Sequence, residues 1–522
     1  MNNITQVYLL NVPLESDYKN TLYFTSKETQ SDFFKSKVVK RYTDFSYQRK
    51  DSFIRVPDHF DNLQNVNYVM YQNKQFSNKW FYAFITDIKY VDDGRTDVFI
   101  ETDYIQTWLF DYTIKSSFVE REHVSDDTIG KHTLPENLEL GEFICNGVEE
   151  DDKGDNLVIY MAISDYAESV NGNIKGNLYG GIYSGMKYHV YNKTTEGINA
   201  LNNMIKAYDE NAKADAINSI FMGPDWLSGV DITDNFIAAD VGASTVSKSY
   251  AISFNKNTSI NGYTPKNKKL LCYPYNYLLC SNNNGNASIY RYEEFTNNKC
   301  EFIVDGVLTP GCSIRLHPVF YKNTAKFYDD GINAGKYPIC CWNSDVYTNW
   351  MTQNGVNNAL AIGSGILQVA GGVAMAIGTG GLGLAIGGGS IAGGVGTITN
   401  VLAQRHQASL IPDQVRGNTN CGDVITASGI NKFIFYKMSI KEEYAKIIDK
   451  FFDMFGYQVN MVKVPNKAHR SRYWYTKTID VNIDGAIPSK DMQVIKDCYN
   501  KGITFWRNAD EIQNYSLSNG IV

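Results

Sequence analysis

Between Asp345 and Arg405 this 522-residue chain carries no Asp, Glu, Lys or Arg, although those four types make up 20% of the whole. So long a charge-free stretch marks a local change of solvent. Other absences narrow the chemistry. The chain has no Walker phosphate loop, no G-x-S-x-G elbow and no H-E-x-x-H helix, so an enzymatic reading has no residues to rest on. Its nine cysteines (Cys145, Cys272, Cys280, Cys300, Cys312, Cys340, Cys341, Cys421, Cys498) show no C-x-x-C pair and no finger spacing. That pattern favours a reduced, cytoplasmic place of synthesis over a disulfide framework or a zinc site. The opening residues MNNITQVYLLNVPLES lack a basic stretch followed by an apolar core, so no signal peptide is expected and VYLLNV reads as a first strand. A net charge of -7 leaves no basic surface built to hold nucleic-acid phosphates, yet it does not exclude a duct that DNA passes through. Only 12 prolines stand beside 36 Tyr and 26 Phe, a balance that suits pleated, half-buried surfaces.

The length allows three or four domains, and 43% hydrophobic residues suffice to build cores. WFYAFITDIKYV, DDGR and TDVFIETDYIQTW, from Trp80 on, predict a β-hairpin turning at Asp-Asp-Gly, with Gly94 free to take positive φ. Residues 1–145 read as one β-rich domain. In the middle region, Ile198, Leu201, Met204, Ile205 and Tyr208 recur at helical spacing. Ile217, Ile220 and Phe221 continue that pattern until Gly223-Pro224. LLCYPYNYLLC, ASIYRYEEF and CEFIVDG then return to strands, the first two separated by SNNNGN. Residues 146–345 therefore read as one mixed or two small β-rich domains. The last region, 405–522, reads as an α/β domain. Ser439 and Glu442 predict a capping box for KEEYAKIIDKFFDMF, with Ile447, Ile448, Phe451, Phe452 and Phe455 on its apolar face and Gly456 as its stop. Two strands, YQVNMVKV and YWYTKTIDVNI, precede a second helix from Pro488-Ser489, whose Met492, Ile495, Cys498 and Tyr499 face a core.

The charge-free insert, 346–404, is apolar and rich in glycine. Its large side chains include Ile362, Ile366, Leu367, Val373, Met375, Ile377, Leu382, Leu384, Ile386, Ile391, Val395 and Ile398. Between them lie Gly371, Gly372, Gly380, Gly381, Gly387, Gly388, Gly389, Gly393 and Gly394, which make the segment a poor autonomous helix in water at about 1 kcal/mol per glycine relative to alanine. Some forty residues in a helix extend ~60 Å, enough for roughly two crossings of a ~30 Å hydrocarbon core. Three readings follow: a buried helical hairpin in a soluble core, a constitutive anchor, and a loop sheltered until conditions release it onto a membrane. The anchor lacks Lys/Arg-rich flanks to set its topology. The conditional loop fits best, because so large an apolar surface left in water would aggregate.

A second conspicuous stretch, SFVEREHVSDDTIGKHTLPENLELGEF, packs Glu120, Glu122, His123, Asp126, Asp127 and His132 together. The spacing HxxDDxxxxH matches no ligand pattern with a mechanism behind it, so the segment reads as structural, with no catalytic, metal or cofactor site.

Three blocks carry a family resemblance: that stretch (117–143), YTPKNKKLLCYPYNYLLCSNNNGNASIYRYE (263–293), and the long final block FFDMFGYQVNMVKVPNKAHRSRYWYTKTIDVNIDGAIPSKDMQVIKDCYNKGITFW (451–506). In order and content they resemble the signature blocks of the tail-knob, or major tail tube, proteins of small short-tailed bacteriophages of the Picovirinae type. The resemblance implies a mainly β, multi-domain fold with α+β elements, whose barrel- or sandwich-like tube domains are akin to tail-hub and tail-tube proteins. It further implies a homohexameric conduit at the distal end of the tail, assembled in the host cytoplasm and carried on the virion. The hydrophobic loop between the middle and final blocks would plug that conduit and, once expelled, form a pore in the host cytoplasmic membrane. Implied partners are the lower collar or connector, a distal tip or lysin protein, that membrane, and double-stranded viral DNA passing without sequence preference. Two other classes remain as alternatives, a secreted pore-forming toxin and a cell-wall hydrolase with a hydrophobic linker.

Overall fold

A computed structural model of the chain describes residues 5–43, 52–73, 78–154, 156–164, 178–179, 182–183, 186–210, 217–229, 240–241, 247–283, 285–309, 312–326, 329–335, 337, 339–341, 418–420 and 432–522. The fold is mainly β, with its sheets distributed over two compact units. One unit gathers 1–142, 262–272 and 441–522; the other holds 143–261 and 273–440.

In the first unit, a six-stranded antiparallel sheet runs in the order Val38–Tyr42, Thr5–Leu10, Tyr68–Asn73, Trp80–Asp92, Arg95–Thr102, Phe53–Val56. Side chains alternate across it, so both faces acquire a core. Val7, Leu9, Val69, Ala83, Val98 and Ile100 fill one face. Leu10, Tyr68, Met70, Tyr82 and Phe84 fill the other, together with Phe34, whose ring stacks on Tyr68. The predicted hairpin is present, but Gly94 is not in the left-handed region. The Asp92 carboxylate closes the turn instead, accepting from the Gly94 N–H at 2.9 Å. YIQTW is a short helix rather than strand, Tyr104–Trp108, started by Asp103, whose carboxylate accepts from the Gln106 N–H at 3.0 Å.

The second sheet of this unit has the order Asn20–Leu22, Ile503–Trp506, Tyr473–Ile479, Ser117–Glu122, Tyr457–Lys463. Its first pair is parallel, with Asn20 opposite Thr504 and Leu22 opposite Trp506, which ties the beginning of the chain to its last strand. The Ser489–Lys501 helix buries Ile495, Cys498 and Tyr499 against Trp474, Phe505, Tyr112 and Ile483, as its apolar spacing requires. The other helix, Glu442–Phe455, starts later than the proposed capping box: Ser439 is a buried residue of the Ile434–Ile440 strand, and Lys441 is the N-cap without a side-chain bond. Ile448 and Phe452 face inward, whereas Ile447 is 66% exposed, because the buried stripe passes through Ala445 and Asp449 instead. Gly456 does stop the helix, at φ +64°, donating its N–H to the Phe452 carbonyl.

The second unit contains three larger sheets. Phe143–Glu150, Ile434–Ile440, Asn276–Ser281 and Ala287–Tyr290 form one; Ser247–Asn255, Lys299–Val307, Ser313–Tyr321 and Thr324–Lys326 form another. The third runs Asp240–Val241, Met186–Tyr191, Leu157–Ser164, Ile217–Pro224, Ile339–Cys341, Asn418–Asn420. An aromatic core that includes Tyr160, Phe221, Tyr290, Phe302, Tyr321 and Phe435 joins strands of all three. The helix read at 198–208 is present as Thr195–Glu210, with Leu201, Met204 and Tyr208 on the core. Its expected continuation is not. Ile217–Pro224 is a strand between Leu157–Ser164 and Ile339–Cys341, because β-branched and aromatic side chains that match helical spacing over so short a run also fit a covered strand.

Candidate functional site

Two features carry the functional argument: the edge of the third sheet where the charge-free insert departs, and the charged 117–143 segment.

At that edge, Ile339–Cys341 pairs antiparallel with Asn418–Asn420 in the register Ile339↔Asn420, Cys340↔Thr419, Cys341↔Asn418. On its other side Ile339–Cys341 is bonded to Ile217–Pro224, so the pair is anchored to a strand within the sheet. In the chain, the stretch that contains the insert is thus flanked by two strands that pair with each other. The apolar residues Ile362, Ile366, Leu367, Val373, Met375, Ile377, Leu382, Leu384, Ile386, Ile391, Val395 and Ile398, and the glycines between them, lie outside the described residues. No helix among the described residues is long and apolar enough to cross a membrane. The returning strand had no sequence signal of its own: Asn-Thr-Asn has neither alternation nor bulk, and only its partner defines it.

The charged segment is built into the first unit. Ser117–Glu122 is a strand lying between Tyr473–Ile479 and Tyr457–Lys463. Glu120 pairs with Lys477 at 2.8 Å; Glu122, fully buried, accepts from Lys463 and from the Asn466 N–H. His123 accepts the Tyr475 N–H at Nδ1 (2.7 Å), and its Nε2 lies 3.0 Å from the Asp453 carbonyl, to which it donates in that tautomer. Burial, then the Arg470 charge, push its pKa down to about 3, so the ring is neutral. Asp127 accepts from the Tyr457 hydroxyl at 2.6 Å and the Lys268 N–H at 3.0 Å. Asp126 accepts from Thr128 and Lys131, and His132 Nε2 lies 2.9 Å from the Asp126 carbonyl. Glu136 is held between Arg121 and Lys269, which is itself buried, and also accepts from the Gln458 N–H at 3.0 Å. Glu120, Glu122, His123, Asp127 and Glu136 thus tie separate strands or loops of one unit together, whereas the hydrogen bonds of Asp126 and His132 stay within their own loop. Among the described residues, no group of three or more His, Cys, Asp or Glu side chains is placed to hold a metal ion.

Comparison with known proteins extends over nearly the whole chain. Residues 238–520 match the family described as Bacillus phage phi29, tail knob protein gp9, C-terminal domain, and residues 3–113 match the caudoviral major tail protein N-terminus. The tail knob proteins gp9 of Bacillus phages PZA, phi29 and B103 are 29%, 27% and 26% identical, each alignment covering 98% of this chain and 97% of the relative. The solved structure of the bacteriophage C1 tail knob protein, gp12, superposes with a TM-score of 0.64 over 99% of this chain and 100% of that one, at 15% identity. The family match spans more than half of the sequence, and the chain belongs to the tail knob protein family of phi29 gp9, structural components of the bacteriophage tail.

Proposed function

We propose that six copies of the chain form the distal knob of a short tail, a conduit for double-stranded DNA that is plugged by the 346–404 segments until they are expelled into the host cytoplasmic membrane as a pore. The observation that carries this reading is the charge-free, glycine-rich composition of an insert that lies in the chain between two paired strands, Ile339–Cys341 and Asn418–Asn420. Within a tube, six such segments bury their side chains against one another, and glycine permits the bends and close approaches of a plug. In lipid, small residues allow helices to pack closely, and packing rather than exclusion from water governs their association. Each large apolar side chain favours insertion by only about 0.3–0.6 kcal/mol, so one copy is marginal and six held together are not. The proposed partners are the lower collar or connector above and a distal tip or lysin protein below.

Dye release from liposomes tests the reading. Wild-type protein, or a peptide spanning 355–405, should cause leakage, and a chain lacking 361–400 should not. If the deletion assembles into tails, leaves leakage unchanged and still delivers DNA, the insert is filler and the proposal fails.

A further inference from the structure

The first unit contains an open cleft of about 970 Å³ whose wall carries five lysines and one acid. Lys19 precedes the Asn20–Leu22 strand, Lys266 comes from the 262–272 segment, Lys446 and Lys450 from the Glu442–Phe455 helix, and Lys501 from the end of the Ser489–Lys501 helix. Four separate stretches of an acidic chain therefore bring cations to one concavity. Internal pairing neutralises part of this charge: Lys19 with Asp17 at 3.0 Å, Lys446 with Glu442 at 2.6 Å, and Lys266 with the lining acid, Asp453, at 3.1 Å. Asp453 is further engaged by the Asn267 amide. Lys450 and Lys501 are exposed and make no ion pair among the described residues. Lys446 and Lys450 stand one turn apart on the same helix, where like charges disfavour it.

We propose that this cleft binds a flexible anion through two or more phosphate groups at once. A concave wall with an excess of one sign concentrates counter-ions more strongly than the same charges spread over a convex face. The lining contains lysine and no arginine, and point charges on long stems suit phosphates at variable spacing because they impose no single bidentate geometry. Tyr515 and Asn514 also line the cleft, each already hydrogen-bonded within the wall, Tyr515 to Thr504 and Asn514 to Ser516. The volume falls in the range of small-ligand clefts, room enough for a short single chain. This inference is independent of the membrane reading, since none of its residues belongs to the insert.

The test is calorimetric titration of the full-length chain at low salt with inorganic tripolyphosphate, an eight-nucleotide oligothymidylate, and an oligoglutamate of matched charge. The double variant Lys450→Gln/Lys501→Gln is compared with Lys89→Gln/Lys299→Gln, which removes the same charge elsewhere, and circular dichroism verifies that both fold. Tripolyphosphate should bind the wild type and the remote variant alike and the cleft variant at least tenfold more weakly, with affinity falling as salt rises. Oligothymidylate binding more tightly than tripolyphosphate would identify a nucleic-acid strand as the source of the phosphates; parity would identify phosphate itself. Absence of saturable binding, insensitivity to the cleft substitutions, or equal binding of oligoglutamate would overturn the proposal.

Discussion

Two buried groups of the first unit respond to acid in opposite directions. His123 is neutral in the fold with its pKa lowered to about 3, against 6.5 ordinarily, so as pH falls through 6.5 the unfolded chain gains a proton that the fold refuses. Stability is lost over that window, by about 2 kcal/mol at pH 5. Asp103 is the reverse: burial raises its carboxyl to about 6 against 3.8, so the fold binds a proton first and stability is gained as pH falls from 6 towards 3.8, about 1 kcal/mol at pH 5. The gain at Asp103 offsets only part of the loss at His123 in the wild type, so a net loss on acidification remains. Thermal unfolding between pH 7.5 and 4.5 should therefore show His123→Gln losing less stability than wild type on acidification and Asp103→Asn losing more, each relative to its own value at pH 7.5. Parallel profiles for all three proteins would contradict this account. Asn is an effective N-cap, so Asp103→Asn retains the start of the Tyr104–Trp108 helix.

At the scale of elements, the junction between the Glu442–Phe455 helix and the Tyr457–Lys463 strand depends on one glycine. Gly456 sits at φ +64°, and a Cβ there would lie 2.1 Å from the Glu122 carbonyl oxygen, a backbone atom of the neighbouring strand that has little room to retreat. Gly456→Ala combines a left-handed backbone cost of about 1–2 kcal/mol with that clash, for an expected loss of about 3 kcal/mol or more. Gly262 is the natural control, with φ +85° and nothing within 4 Å of the added carbon, so Gly262→Ala should cost only about 1 kcal/mol. Urea unfolding of the two variants separates strain from clash. Equal losses would show that the contact with Glu122 relaxes.

For the whole molecule, the meeting of Ile339–Cys341 with Asn418–Asn420 means that the insert can be shortened without opening the sheet. Closing a loop costs only about 0.6 kcal/mol per doubling of its length, so its removal gains or loses little. Replacing 346–404 by a linker of about ten glycines and serines should leave far-ultraviolet circular dichroism unchanged and move the melting temperature by no more than about 2 °C. A larger fall would assign the insert a folding role in the isolated chain. Virion reconstruction tests the proposed assembly: a symmetry other than six-fold, or a place in the capsid shell, would exclude it.

Local pattern was enough for the elements whose partners lie close in sequence. The Trp80–Asp92 and Arg95–Thr102 hairpin, the Thr195–Glu210 helix and the Ser489–Lys501 helix were legible because one apolar face and one breaker specify each. Tertiary structure decided the rest. Ile217–Pro224 became a strand because two partners compete with its helical spacing, and Ser439 entered a strand because Tyr277, Leu278 and their neighbours pair with that segment. No local signal placed 1–142 and 441–522 in one unit; that follows from Asn20–Leu22 pairing in parallel with Ile503–Trp506, across nearly the full length of the chain. Nor did spacing reveal that His123 is a neutral bridge between Tyr475 and Asp453, or that five lysines share a cleft. Periodicity specifies which face of an element is buried, but not which distant element covers it, and partners of buried polar groups come from that second choice.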